Sequence, residues 1–173
     1  MRIGLLSDSH GRARLQASAL RLLEERNVQI LVHCGDLGSA ECLEQLSSLG
    51  IPAYAVLGNT DQSSLELAAA GVNCGVALEP RAIVIPLEGA RTAAATHGHD
   101  ARLLHELIAC GRHAYVFHGH THASRDERAG GVRVINPGAL CNSRHPGRPT
   151  VALLDTSLES LEWIDVPAKG LSG

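Results

Sequence analysis

Ile3-Gly4-Leu5-Leu6-Ser7-Asp8-Ser9-His10 runs from a short apolar stretch into a D-x-H turn. Ile3 to Ser7 reads as a buried strand, since a short continuous apolar run suits a strand covered on both faces. Asp8 and His10 stand two residues apart on the chain that leaves it. A loop curling there can bring both side chains to one cation. The pattern recurs four times. Gly35-Asp36 follows the run Gln29 to Cys34, and Gly58-Asn59-Thr60-Asp61 follows Ala53 to Leu57. Thr96-His97-Gly98-His99 ends the run Thr92 to Thr96, and Gly119-His120-Thr121-His122 follows Ala114 to His118. Ligands of open α/β sheets sit beyond the carboxyl ends of strands. All five segments fall at such ends.

Between these runs the periodicity is helical. Leu15, Ala19, Leu22 and Leu23 give Leu15 to Glu25 one apolar face. Ser39 is a candidate N-cap for a helix carrying Leu43 and Leu46 and stopped by Gly50 and Pro52. A short helix is expected over Ser64 to Ala70. Asp100 should cap another that runs through Cys110 to Gly111, with Leu103, Leu104, Leu107 and Ile108 facing inward. Ala82 to Pro86 and Thr92 to Thr96 read as strands joined around Gly89. Val132 to Ile135, Thr150 to Asp155 and Leu158 to Val166 alternate and lack intervening helices. They are expected to close a second, antiparallel sheet. The fold class is α/β, with strands inside, helices outside and one domain over residues 1–173.

Composition narrows the function. An apolar fraction of 45 % with 19 % charged residues describes a globular chain. A formal net charge of −3 gives no long-range pull toward nucleic acid or anionic lipid. The aromatics are Tyr54, Tyr115, Phe117 and Trp163 alone. A dedicated nucleic-acid surface, which combines basic charge with stacking platforms, is not expected. Five scattered cysteines without a C-x-x-C pair argue against a disulfide framework or a thiolate zinc site and suit a cytoplasmic setting. No stretch is long enough to span a bilayer. The outer helix faces show no obvious patch, so a homo-oligomer stays open.

The five turns together offer Asp8, His10, Asp36, Asn59, His97, His120 and His122 as oxygen and nitrogen donors. A carboxylate such as Asp36 has two oxygens and can bridge two cations, while Gly35 lets the backbone approach closely. Two divalent ions opposite two carboxylates leave charge for one hydroxide and one anionic phosphate. The mixed oxygen and nitrogen set favours Mn, Fe, Zn, Ni or Co over Mg or Ca.

The ordered motifs D-x-H, G-D, G-N-x-D, T-H-G-H and G-H-T-H resemble those of the calcineurin-like metallophosphoesterases. Their compact spacing is most similar to the small YfcE-type phosphodiesterases, as is the run Val134-Ile135-Asn136-Pro137-Gly138. The likeness extends from about Arg2 to about Val166. It implies a four-layer α/β/β/α sandwich with two mixed β-sheets and a hydrolase that takes a small phosphoester, chiefly a phosphodiester. It implies two metal ions, manganese first among the candidates. Asp8, His10, Asp36 and His122 would hold one; Asp36, Asn59, His97 and His120 would hold the other. A metal-bridging hydroxide would attack phosphorus in line.

Two positions depart from the pattern. Larger relatives carry a histidine after the asparagine, thought to protonate the leaving group; here Thr60 stands there. A threonine hydroxyl is no acid near neutral pH. His99, two residues from His97, is the nearest substitute, so His99 joins Asp36, Asn59 and His97 as a catalytic candidate. Ala139 replaces a frequent serine. The alternatives are a catalytically weak protein-binding scaffold of the same fold, like the retromer subunit, or a metal-binding regulatory module.

Other polar residues receive plainer readings. His33, His105, His113 and His145 are expected at the surface or in the core, and His118 behind the ligands. Asp61 could cap a helix or hydrogen-bond a ligand. Arg144 reads as a solvated loop residue. Substrate specificity is expected in loops such as Val72 to Pro80 and Cys141 to Pro149.

Overall fold

In a computed structural model the chain is described over residues 1–61, 64–144 and 147–167. The expectation for His145 falls outside these residues, as do positions 168–173 of the expected domain. The elements are β1 (Arg2–Leu6), α1 (Ala13–Glu24), β2 (Ile30–His33), α2 (Ala40–Gln45), β3 (Ala53–Val56), α3 (Ser64–Cys74) and β4 (Ala77–Glu79). There follow β5 (Ala82–Pro86), a 3-10 turn (Glu88–Ala90), β6 (Thr92–Thr96), α4 (Ala101–Ala109), β7 (Tyr115–Phe117), β8 (Arg125–Ala129), β9 (Val132–Asn136), β10 (Thr150–Asp155) and β11 (Ser160–Asp165).

The strands form two sheets, ordered β11-β10-β1-β2-β3-β4 and β5-β6-β7-β9-β8. β1 to β4 run parallel, and β10 joins them antiparallel to β1 with Leu5 opposite Ala152. In the second sheet β6, β7 and β9 are parallel, with antiparallel edges β5 and β8. Both sheets are therefore mixed.

The layers follow from which faces are apolar. Leu5, Val32 and Val56 of the first sheet pack against Ile85, Ala95 and Phe117 of the second. The other face of the first sheet presents Leu6 and Leu31 to Leu20 and Leu23 of α1 and Leu43 of α2. Leu104, Leu107 and Ile108 of α4 cover Ala94, Val116 and Val134 on the far side. Helices thus flank two stacked sheets in an α/β/β/α arrangement. Each fully buried leucine or isoleucine contributes about 2 kcal/mol through apolar area removed from water. Two caps act as their sequences imply. Ser39 accepts from the Cys42 amide, and the Asp100 carboxylate accepts from the Leu103 amide at 3.0 Å.

The structure corrects four expectations. β10 and β11 extend the first sheet and do not close the second. Their alternation reveals antiparallel pairing, but no local pattern says which sheet receives them. β8, the charged strand Arg-Asp-Glu-Arg-Ala, was not expected; it is an exposed edge, where charge discourages pairing with other chains. Val72 to Pro80 is no loop, because α3 continues to Cys74 and β4 follows after Gly75. Lastly, α3 does expose apolar side chains, with Leu65 87 % and Val72 84 % accessible.

Candidate metal centre

Five crossings from strand to loop converge on one edge of the stacked sheets. Asp8 and His10 leave β1, Asp36 leaves β2, Asn59 leaves β3, His97 leaves β6, and His120 and His122 leave β7. Backbone bonds sew the loops together. The Asp8 amide donates to Gly35 O (3.0 Å), His10 N to Asp36 O (2.9 Å), Gly119 N to His97 O (3.0 Å) and Cys141 N to Asp8 O (2.9 Å). Asp8, His10, Asp36, His120 and His122 all have positive φ, between 45° and 66°. That region disfavours side chains with a Cβ, and it persists only where the surroundings over-determine it. Five strained residues, all of them expected ligands, mark this edge as the functional one.

Two glycines leave space that any side chain would fill. A Cβ at Gly58 would overlap the Asp36 carboxylate, and one at Gly119 would overlap Ser7 Oγ and press on Asp8 Oδ2. The loops therefore meet at backbone distance behind the two carboxylates.

The Asp8 side chain is fully buried. Its Oδ2 accepts from Ser7 Oγ (2.6 Å) and the His120 amide (3.2 Å). Its Oδ1 has no hydrogen-bond partner, yet it lies 3.1 Å from His122 Nε2 and 3.9 Å from His10 Nε2. Asp36 Oδ1 accepts from the Thr60 amide (2.9 Å), while Oδ2 lies 3.6 Å from His10 Nε2 and 3.4 Å from His97 Nε2. Asn59 Oδ1 is 3.1 Å from the same His97 nitrogen. The His120 ring sits 5.1 Å from that of His97, edge to face.

Ring orientation explains the crowding. His97 Nδ1 donates to Cys34 O (2.8 Å), and His122 Nδ1 donates to Asn142 O (3.3 Å). A carbonyl only accepts, so each neutral ring turns the Nε2 lone pair toward oxygens that are themselves acceptors. Such a cluster needs positive charge at its centre. Asp8, His10 and His122 form one group with metal-ligand spacing, and Asp8, Asp36 and His97 form another. The donor set fits divalent cations.

Electrostatics agrees with that need. Burial opposes ionisation of Asp36, but the facing His97 imidazole and the Thr60 amide outweigh it and hold the carboxyl well below the usual range. Burial likewise opposes charge on His97, and Asp36 outweighs it and raises this pKa. For His120 the balance tips the other way: burial and repulsion from His97 outweigh the pull of Asp8 and Asp36, and its pKa falls.

Behind the donors lie polar groups whose tasks the motifs do not reveal. Asp61 accepts from Leu37 N (3.2 Å), Gly38 N (2.8 Å) and Gly58 N (2.8 Å). Among the described residues it bonds no ligand side chain; it ties the Asp36 loop to the Asn59 loop. Asn136 Nδ2 donates to Gly119 O (2.9 Å) and Thr121 Oγ1 (3.0 Å), which steadies the G-H-T-H loop. His33 is fully buried, and its Nδ1 accepts from the Gly35 amide. Its Nε2 therefore donates to Ser9 Oγ (2.7 Å), which donates to Gln16 Oε1 (2.6 Å). His118 is buried with Arg125 at its Nε2, 3.4 Å away.

The remaining candidates sit at the rim. The exposed His99 ring lies 5.4 Å from His97 and 6.2 Å from His120. Thr60 Oγ1 is 3.5 Å from His10 Nδ1. Arg144 is exposed, and its amide donates to His122 O. His113 is buried against Thr92 Oγ1 (2.9 Å), and His105 is exposed. Every described cysteine is a free thiol. No helix among the described residues is long and apolar enough to cross a membrane.

Comparison with known proteins gives the same family from sequence and from fold. The calcineurin-like phosphoesterase superfamily domain matches residues 1–159. Phosphodiesterase MJ0936 of Methanocaldococcus jannaschii is 30 % identical over 158 residues, covering 90 % of this chain and 93 % of its own. A solved archaeal phosphodiesterase superposes with a TM-score of 0.85 at 29 % identity, covering 96 % of this chain and all of its own. The Escherichia coli phosphoesterase Yfce (TM-score 0.68, 19 % identity) and a mutant Vps29 from Entamoeba histolytica (0.66, 21 %) share the fold, each over 96 % of this chain and all of their own. With its motifs, its mixed double sheet and its donor cluster, the chain belongs to the calcineurin-like phosphoesterase superfamily and is a hydrolase of that family.

Proposed function

We propose that this protein is a two-metal phosphodiesterase acting on small phosphodiesters, and that residues 1–173 form one catalytic domain. The observation that carries the reading is Asp36 Oδ2, 3.6 Å from His10 Nε2 on one side and 3.4 Å from His97 Nε2 on the other. A carboxylate so placed suits a bridge. Asp8, His10, Asp36 and His122 would hold one ion; Asp36, Asn59, His97 and His120 would hold the second. Manganese is the first candidate for both, and the cytoplasm the expected location. Divalent ions held there lower the pKa of bound water toward ~7 and offset charge developing on phosphoryl oxygens.

The residues themselves do the rest. Cys34 O and Asn142 O orient His97 and His122, so two nitrogens face inward before any ion arrives. Asp61 and Asn136 hold the ligand loops in register, which limits the reorganisation that binding requires. Thr60 supplies its amide to Asp36 and no proton to the leaving group. His99, at the solvent rim beside His97 and His120, is the group assigned to protonate the departing oxygen. Esters with acidic leaving groups should then react faster than alkyl esters.

Metal-stripped protein should not hydrolyse bis(p-nitrophenyl) phosphate, and Mn²⁺ should restore turnover. Asp36→Asn should abolish the restored activity. Wild-type protein that binds Mn²⁺ without turnover would favour the scaffold reading, which the Vps29 fold keeps in view.

A further inference from the structure

Nine arginines of the described chain reach a carboxylate. Arg12, Arg14, Arg21, Arg112 and Arg144 do not, among the described residues, and Arg12 and Arg14 stand together at one cleft. Both are exposed, and both line a cleft of about 840 Å³ that starts at Gly11, the residue after the expected ligand His10. The cleft's other walls are Leu15 and Ser18 of α1, Glu41 of α2, and Pro149 and Pro167. Its size suits a nucleotide-sized ligand.

Two facts make these guanidiniums unusual. The protein is net negative, so a bare pair of like cations is not a general surface property. They also flank the start of α1, whose first turn holds no acidic residue. Cations at a helix N-terminus oppose the helix dipole, so local stability does not explain them. Glu41 faces the same cleft without pairing to either. A planar guanidinium fork matches phosphate oxygens in a bidentate fashion. Leu15 and the two prolines offer apolar surface beside it for a sugar or base.

We propose that the Arg12–Arg14 cleft binds a second phosphate group of the substrate, so that the enzyme selects phosphodiesters carrying a further phosphate. This rests on the phosphodiesterase reading for the word substrate, but not for the anion site itself. Without metal, Asp8 and Asp36 make the centre repel anions. Anion binding to metal-free protein therefore reports on the cleft.

The first measurement is a calorimetric titration of metal-free protein with inorganic pyrophosphate. One saturable site is expected, weakened at least about tenfold in the Arg12→Gln/Arg14→Gln double variant and strengthened in Glu41→Gln. Exposed side chains should leave the fold intact, which thermal unfolding checks. The second compares Mn²⁺-loaded hydrolysis of thymidine 3′-phosphate 5′-(p-nitrophenyl phosphate) with that of thymidine 5′-(p-nitrophenyl phosphate). Wild type should prefer the first in kcat/KM, through KM, and the double variant should lose that preference. Absent pyrophosphate binding, or equal binding by wild type and variant, would overturn the proposal. So would equal kcat/KM for the two esters. If wild type hydrolyses neither ester, the phosphodiesterase reading fails, while the titration still decides the cleft.

Discussion

Asp8 Oδ1 lies 3.1 Å from His122 Nε2, and no hydrogen bond joins them. The His122 ring is turned by Asn142 O so that a lone pair faces a carboxylate oxygen. A buried carboxylate oxygen that faces another acceptor at the site's half-buried rim is costly unless a cation sits with them. In the metal-free protein this pair is a store of destabilisation. Asp8→Asn should raise the melting temperature of metal-free protein by a few degrees, at about 2–4 °C per kcal/mol for a chain of this size. The same change should weaken Mn²⁺ binding by about 10–100-fold, the scale on which even outer partners of a metal site act. Calorimetry on one protein preparation measures both. A variant that loses stability and metal together would contradict the idea.

Acid should unfold the metal-free protein through two histidines outside the donor set. Burial, then repulsion from His97, lowers His33 to about 3. Burial lowers His118 to about 4, with Arg125 reinforcing it against the Gly119 carbonyl. In the unfolded chain both titrate near 6.5. Between pH 6.5 and about 4 the unfolded state binds protons that the folded state refuses. Stability therefore falls as pH falls through this window, and these two groups add nothing above it. The slope is about 1.4 kcal/mol per pKa unit per group. Urea midpoints of metal-free protein should drop steadily as pH falls from 6.5 toward 4. A midpoint unchanged at pH 5 would exclude this account.

Gly119→Ala should damage the site more than its size implies. The added methyl overlaps Ser7 Oγ and crowds Asp8 Oδ2, so the D-x-H and G-H-T-H loops must part. A loss of about 1–3 kcal/mol is expected from overpacking, with Mn²⁺-restored turnover falling far more. Gly131→Ala meets no atom within 4 Å and serves as the control. Equal effects from the two substitutions would refute the packing argument.

Asp61→Asn should loosen the ligand loops without touching a ligand. One amide oxygen cannot replace the two carboxylate oxygens that serve Leu37, Gly38 and Gly58. The cost should be about 1–3 kcal/mol for the donors left unmatched. Hydrogen exchange at the Leu37 and Gly58 amides should speed up relative to amides of β7, and Mn²⁺ affinity should fall. Unchanged protection at both amides would remove Asp61 from this role.

Much of the fold and the donor set was legible because each piece is local. An apolar run followed by glycine and a donor identifies a strand and its carboxyl end, as at Leu31 to Asp36 and Tyr115 to His122. Ser39 and Asp100 are caps readable from their own neighbours. β4 and β8 were not legible: β4 has three residues, and β8 shows no apolar face. Asp61 could not be resolved, since its partners lie 3, 23 and 24 residues away. Asn136 was visible only as part of a motif, and its grip on Gly119 spans 17 residues.

The sequence by itself determined the order of most strands and helices and the turn that carries each candidate donor. It did so because strand ends, caps and glycine turns depend on near neighbours along the chain. Only the tertiary structure decided that β10 and β11 complete the first sheet. It alone placed Asp36 between His10 and His97, left Asp8 Oδ1 without a proton partner, and left Arg12 and Arg14 without a carboxylate partner among the described residues, beside a cleft. Those outcomes depend on contacts between segments far apart in sequence, where closeness in space is set by how two sheets stack.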